Sequence, residues 1–158
     1  MEALLFITAA AGKINLCLRL SGVVSSPSSH EYRFVYEPMT WADAQSYCRR
    51  MNSDLATIAT MEDVETLNKM AVMNNMVYTS YRTKVWTGLY RDGWKWSAGS
   101  RFSFSYWKST EPNNNNGNEK CVLATFDALG KWEDWRCDVE KAFICSKFKP
   151  DKCNGWYK

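Results

Sequence analysis

Histidine is almost missing from this sequence: His30 is the only one among 158 residues. Most His-dependent catalysis and His-rich metal sites are excluded with it. No Cys-x-x-Cys pair occurs, which argues against a zinc finger or a thioredoxin-like redox site. Neither sign of charge dominates, since the net charge is only +3. That leaves no basic stripe of the kind a nucleic-acid partner requires. The apolar run from Ala3 to Ala11 is too short to span a bilayer, and Lys13 breaks it. No internal repeat is present. With 46% hydrophobic and 23% charged residues, the chain is neither disordered nor collagenous.

Aromatic residues are plentiful: eight Trp, eight Tyr and seven Phe supply bulky, rigid groups for a core or a recognition face. Six cysteines, Cys17, Cys48, Cys121, Cys137, Cys145 and Cys153, suit disulfides in an oxidising compartment. Residues 1–29 read as a signal-like segment or N-terminal arm, ending in the linker-like run Ser25 to Ser29. Its n-region, Met1-Glu2, lacks the usual basic residue. Residues 30–147 carry the folded pattern, and 148–158 form a C-terminal tail.

Tyr32, Phe34 and Tyr36 alternate with Arg33 and Val35, the signature of a strand that Pro38 is expected to end. Thr40 opens a helix, with Asp43 three residues on in capping-box spacing. Trp41, Ala44, Tyr47, Cys48 and Met51 fall on one face of it. Leu55 to Ile58 reads as a short strand. Thr60 and Asp63 repeat the capping spacing ahead of a second helix with Val64, Leu67 and Ala71 inward, stopping at Asn74-Asn75. Strands are expected from Val85 to Tyr90 and around Lys95, with Gly88 at a close approach and Asp92-Gly93 turning between them. After the aperiodic stretch Ser97 to Asn118, the segments Cys121 to Phe126, Lys131 to Trp135 and Ala142 to Lys147 read as three more strands. Helices early and strands late give an α+β class. A long irregular stretch inside a patterned domain is usually functional.

That stretch and the strands after it carry Glu111-Pro112-Asn113, Glu119 and Glu133-Asp134. Oxygen donors of these types suit Ca²⁺, which takes six to eight of them. A cis bond before Pro112 would turn Glu111 and Asn113 to the same side.

From His30 to Lys147 the chain resembles the C-type lectin domains. Trp86-Thr87-Gly88-Leu89 is similar to that family's W-x-G-L signature, and Glu111-Pro112-Asn113 to the loop tripeptide of its mannose-type members. Trp132-Glu133-Asp134 stands at its W-N-D position, and Cys48, Cys121, Cys137 and Cys145 resemble its disulfide framework. The resemblance implies pairing Cys48–Cys145 and Cys121–Cys137, and a fold of two helices, small antiparallel sheets and a long irregular calcium and sugar loop. It implies a principal Ca²⁺ and sugar site on Glu111, Asn113, Glu119, Glu133 and Asp134. The ligand would be a mannose, GlcNAc or fucose-type glycan or a cell-surface glycoprotein, the protein secreted or an extracellular receptor module, and the activity non-enzymatic.

Two departures stand out. Glu133 replaces the family's Asn, so an amide donor for a sugar oxygen is lost and a charge is added. Lys120 and Asn114 stand where acids are usual in an auxiliary calcium site, which is therefore expected to be absent. Recognition of a protein ligand without sugar is the alternative that Glu133 favours. A glycosidase using Glu111 and Glu133 as its pair is a weaker one. Trp86, Trp96, Trp107 and Trp132 are expected in the core, whereas Trp135 either stacks on a sugar or covers the Cys121–Cys137 bridge. Cys153, left over, suggests a disulfide-linked dimer, or pairing with Cys17 if the N-terminal segment is retained.

Overall fold

The computed structural model describes residues 30–73 and 83–148. The expected N-terminal arm, the helix stop at Asn74-Asn75, Cys17, Cys153 and the tail beyond Phe148 lie outside the described residues.

Strand β1 (His30–Met39) is followed by helix α1 (Trp41–Arg50), strand β2 (Asp54–Leu55) and helix α2 (Met61–Met73). Strands β3 (Lys84–Tyr90), β4 (Lys95–Trp96), β5 (Cys121–Thr125), β6 (Lys131–Trp135) and β7 (Lys141–Phe148) complete the set. The strands join one sheet in the order β1-β7-β3-β5-β6, with β2 on β7 and β4 on β3. The sheet is mixed rather than a set of small antiparallel ones, because β3 meets β7 in parallel at Trp86 and Phe143. β1 and β7 run antiparallel, so His30 faces Phe148 and Arg33 faces Cys145.

Both helix starts form as their spacing predicts. The Thr40 hydroxyl accepts from the Asp43 N–H at 3.3 Å. The Thr60 hydroxyl accepts from the Asp63 N–H at 3.2 Å, and the Asp63 carboxylate accepts from the Thr60 and Ala59 N–H groups, both at 3.0 Å. Asp63 also accepts from the Tyr32 hydroxyl at 2.8 Å, which ties α2 to β1.

β1 does not stop at Pro38. It continues to Met39 through a register shift between Val35 and Met39, an irregularity that suits a residue with no N–H to give the ladder. The strand expected over Leu55 to Ile58 pairs only at Asp54 and Leu55. Beyond it, Ala56 still donates to the Ile144 carbonyl at 2.8 Å and accepts from Gly88 at 2.9 Å. Gly88 is where the expected close approach occurs: a Cβ there would lie 2.7 Å from the Leu55 carbonyl oxygen.

One apolar cluster lies around α2, with Val64, Leu67, Trp96, Val122 and Trp132. A second surrounds α1, with Ala44, Cys48, Trp86, Leu123 and Phe143. Trp86, Trp96 and Trp132 are fully buried. Trp107 is half-buried, its ring 5.6 Å from that of Trp132. Cys48–Cys145 links α1 to β7, and Cys121–Cys137 links β5 to the segment after β6. Among the described residues no helix is long and apolar enough to cross a membrane.

Candidate functional site

The irregular stretch between β4 and β5 is stitched to β6 by its backbone. Trp132 donates to the Tyr106 carbonyl at 2.8 Å, and Lys108 donates to the Trp132 carbonyl at 3.0 Å. Glu111 then donates to the Lys108 carbonyl at 3.1 Å. The Glu111–Pro112 peptide is cis.

Asp134, on β6, organises the loop that follows. Its carboxylate is 1% exposed for the whole residue and accepts from the Asn113 N–H at 2.9 Å and the Asn114 N–H at 3.0 Å. The Arg91 guanidinium, just past β3, pairs with the same carboxylate. Asn113 Nδ2 donates to Glu111 Oε1 at 2.7 Å. The Asn115 N–H is shared between Asn113 Oδ1 at 2.8 Å and Glu119 Oε2 at 2.7 Å. The turn needs left-handed backbone at Asn114 (φ 47°) and Asn116 (φ 55°), a region asparagine tolerates better than other side chains. Glu111, Asn113, Glu119 and Asp134 are thus brought together through one loop.

Glu111 Oε2 is buried and has no hydrogen-bond partner. Burial, with the Asp134 carboxylate alongside, pushes the Glu111 carboxyl up to about 7. Arg91 already serves Asp134, so a proton or a cation is what the Glu111 oxygen lacks.

Glu133, the remaining expected ligand, is engaged differently. Successive residues of a strand point to opposite faces, and its partners are not those of Asp134. Lys84 Nζ lies 2.8 Å from Oε2, Lys108 Nζ pairs with Oε1, and Trp135 Nε1 donates to Oε2 at 3.0 Å. Burial alone would raise the Glu133 carboxyl. The hydrogen bonds from Lys108, Lys84 and Trp135 outweigh it and hold the group down at about 2. Both oxygens are therefore occupied by the chain's own donors. Among the described residues no three His, Cys, Asp or Glu side chains are grouped to hold a metal ion. Any cation site here depends on amide oxygen as well as carboxylate.

Trp135 packs at the edge of the cluster that contains Cys121, with Cys137 also against it. Lys84 Nζ and Lys141 Nζ each lie 4.8 Å from its ring centroid. Two ammonium groups thus stand close to the half-buried ring. Arg91, Lys84, Lys108 and Lys141 were not legible as site residues. Their charges are ordinary in sequence, and only the order of the strands brings them to Glu133 and Asp134.

The profile of the Lectin C-type domain family matches residues 37–147. The chain belongs to that family, which comprises binding domains rather than enzymes. It is 30% identical over 125 residues to a lectin of Pleurodeles waltl, covering 75% of this chain and 70% of that one. It is 32% identical over 126 residues to lithostathine-1 of Mus musculus, covering 77% and 74%. Among solved structures, the carbohydrate-recognition domain of the mouse scavenger receptor C-type lectin superposes with a TM-score of 0.64 at 28% identity, covering 78% of this chain and 93% of that one.

Proposed function

We propose that the chain is a calcium-assisted carbohydrate-binding domain that reads vicinal hydroxyls of a mannose, GlcNAc or fucose-type glycan through Glu111 and Asn113, on a loop held by Asp134. The observation that carries this reading is Glu111 Oε2, a buried and unpartnered carboxylate oxygen beside a second carboxylate. The donor set there, carboxylates with an amide oxygen, has the hard-oxygen chemistry that Ca²⁺ prefers. Glu111, Asn113, Glu119 and Asp134 would hold the ion, and Glu133 is left out of the set because two lysines hold it. When bound, the ion would supply direct coordination of two sugar hydroxyl oxygens.

The chain's own groups do the rest. Glu111 accepts from a sugar hydroxyl proton, and Asn113 Nδ2 donates to a hydroxyl oxygen, while the buried Asp134 holds the loop. In the free protein that amide donates to Glu111 Oε1, so a ligand exchanges one hydrogen bond for another rather than stranding a donor. Arg91 and the Asn113 and Asn114 N–H groups hold Asp134 in place. The two disulfides support an extracellular, oxidising location.

A second reading, recognition of a protein surface without sugar or metal, draws on one observation. Lys84, Lys108 and Arg91 already neutralise Glu133 and Asp134. A glycan array run with Ca²⁺ and with chelator separates the two. Binding of mannose-type glycans that chelator removes, and that Asn113→Ala abolishes, is expected. No glycan bound with or without Ca²⁺ would overturn the carbohydrate reading and leave the second.

A further inference from the structure

We infer that Asn116–Gly117 is a self-modification site: the Asn116 side-chain amide is lost to attack by the Gly117 backbone nitrogen, and the loop's own hydrogen bonds hold that reaction back. The chemistry needs only water, so it goes beyond the carbohydrate reading above and does not depend on it.

The turn itself selects the reactive pair. Asn113 to Asn116 and Asn118 crowd one loop, yet only Asn116 precedes a glycine there. Asn116 (φ 55°) and Gly117 (φ 72°) both lie in the left-handed region, which asparagine and glycine tolerate best. Both residues are exposed. A Cβ at Gly117 would meet nothing within 4 Å, so nothing crowds this peptide. The neighbouring amides are engaged: Asn113 Nδ2 donates to Glu111, and Asn114 Oδ1 accepts from the Glu119 N–H at 3.3 Å. Among the described residues the Asn116 amide makes no hydrogen bond.

The reaction is a ring closure followed by hydrolysis. The Gly117 N–H gives its proton to hydroxide, and the nitrogen attacks Asn116 Cγ. The new Cγ–N bond forms as the Cγ–Nδ2 bond breaks, and ammonia leaves after taking a proton from water, which restores the hydroxide. Water then opens the five-membered succinimide at either carbonyl, giving Asp or isoAsp. Nothing is oxidised or reduced.

The folded backbone opposes the first step. With ψ 15° at Asn116, the Gly117 nitrogen is nearly eclipsed with the nitrogen of Asn116 itself. The side chain is then turned away from it about the Cα–C bond, wrongly placed for a five-membered ring. Rotation about that bond is required, and it breaks the hydrogen bond that the Gly117 N–H donates to the Asn114 carbonyl at 2.9 Å. The reaction therefore runs from an opened loop, at a rate set by the fraction open. Asp134 holds the Asn113 and Asn114 N–H groups at the root of the same turn and so limits that fraction.

The isoAsp branch lengthens the main chain by one carbon. The Asn115 N–H bond to Glu119 Oε2 and the Glu119 N–H bond to Asn114 Oδ1 both span it. Conversion thus undoes the closure of the loop.

The test incubates the whole chain, folded and oxidised, in heavy-oxygen water at mildly alkaline pH, beside the same chain reduced and unfolded in urea. Peptides are mapped with fragmentation that tells isoAsp from Asp. Mapping by peptide is needed because Asn154–Gly155, outside the described residues, is a second such pair. Asn116 is expected to convert in both samples, with a heavy oxygen in the new carboxyl, and about fivefold or more slowly in the folded chain, the weight of one ordinary hydrogen bond. Asp134→Asn should narrow that ratio. If its melting is not cooperative, Asn114→Gly, which removes Oδ1 and keeps the left-handed backbone, takes its place. In the separated isoAsp fraction the Gly117 and Glu119 N–H groups should exchange with solvent faster than in Asn116→Asp, which bears the same charge on an unlengthened chain. An intact Asn116 in the folded chain after the unfolded one is exhausted overturns the site, as does earlier conversion of the neighbouring asparagines. Equal rates in the two samples, or a ratio that the loop variant leaves unchanged, overturn the restraint. Equal exchange in the isoAsp fraction and Asn116→Asp overturns the loss of closure.

Discussion

Glu111 and Glu133 were both expected as ligands of one site, yet their surroundings push them in opposite directions. Glu111 sits beside Asp134, and its carboxyl is raised from an ordinary value near 4.5 to about 7. A raised acid contributes most to stability below its unfolded value, and that contribution is lost as pH rises through the folded one. In chelator, the melting temperature should therefore drop between about pH 4.5 and 7, and Glu111→Gln should flatten that drop. Ca²⁺ should restore stability at the upper end. At a hundredfold excess over Kd, mass action contributes about 2.7 kcal/mol, and a calcium-independent melting temperature would remove the cation from the account.

Glu133 behaves as the mirror case. Its carboxyl is held at about 2 by the lysines and Trp135, so its stabilisation is complete above about 4.5 and lost as pH falls toward 2. Glu133→Gln should lower stability at neutral pH, because two half-buried ammonium groups lose their carboxylate. It should also make the loss in acid shallower. Urea midpoints measured across pH 2–6 would show both effects.

At the scale of the elements, the second capping box carries more than a helix end. Asp63 is 3% exposed, receives the Ala59 and Thr60 N–H groups, and holds the Tyr32 hydroxyl of β1. Asp63→Ala leaves those buried donors without the carboxylate, a cost of about 3 kcal/mol. Thr40→Ala, at the exposed first cap, should cost only about 1 kcal/mol. Chemical denaturation of the two variants checks the difference.

Both caps were legible because they are set by residues three apart. The strand cores were legible from alternation, and Gly88 from its place in the W-x-G-L segment. That Glu111, Asn113 and Asp134 lie together was legible through their motifs. The surroundings of Glu133 were not, since Lys84 and Glu133 are 49 residues apart and meet only through the strand order. The continuation of β1 past Pro38 was missed for a related reason. A proline forbids one ladder bond, but a register shift lets the strand resume at Met39. The parallel contact of β3 with β7 leaves no local trace at all.

At the scale of the whole molecule, the antiparallel register of β1 with β7 sets His30 opposite Phe148. The Cys48–Cys145 bridge crosses the domain just inside those ends, with a sequence separation of 97. Consider the domain held under tension at residues 30 and 148. The ladder peels from its open end, one pair of bonds at a time. The pull then reaches the bridge and passes through sulfur, from Cys48 straight to Cys145. Everything between them, including Glu111, Asn113, Glu119 and Asp134, lies off the line of force. Optical-trap pulling should lengthen the oxidised domain by no more than roughly 70 Å before it stops, with glycan binding retained. After reduction the same pull should run on through the whole sheet and release the ligand. Tugged at its edges, the fold passes the load through the bridge and leaves the Glu111–Glu119 loop slack.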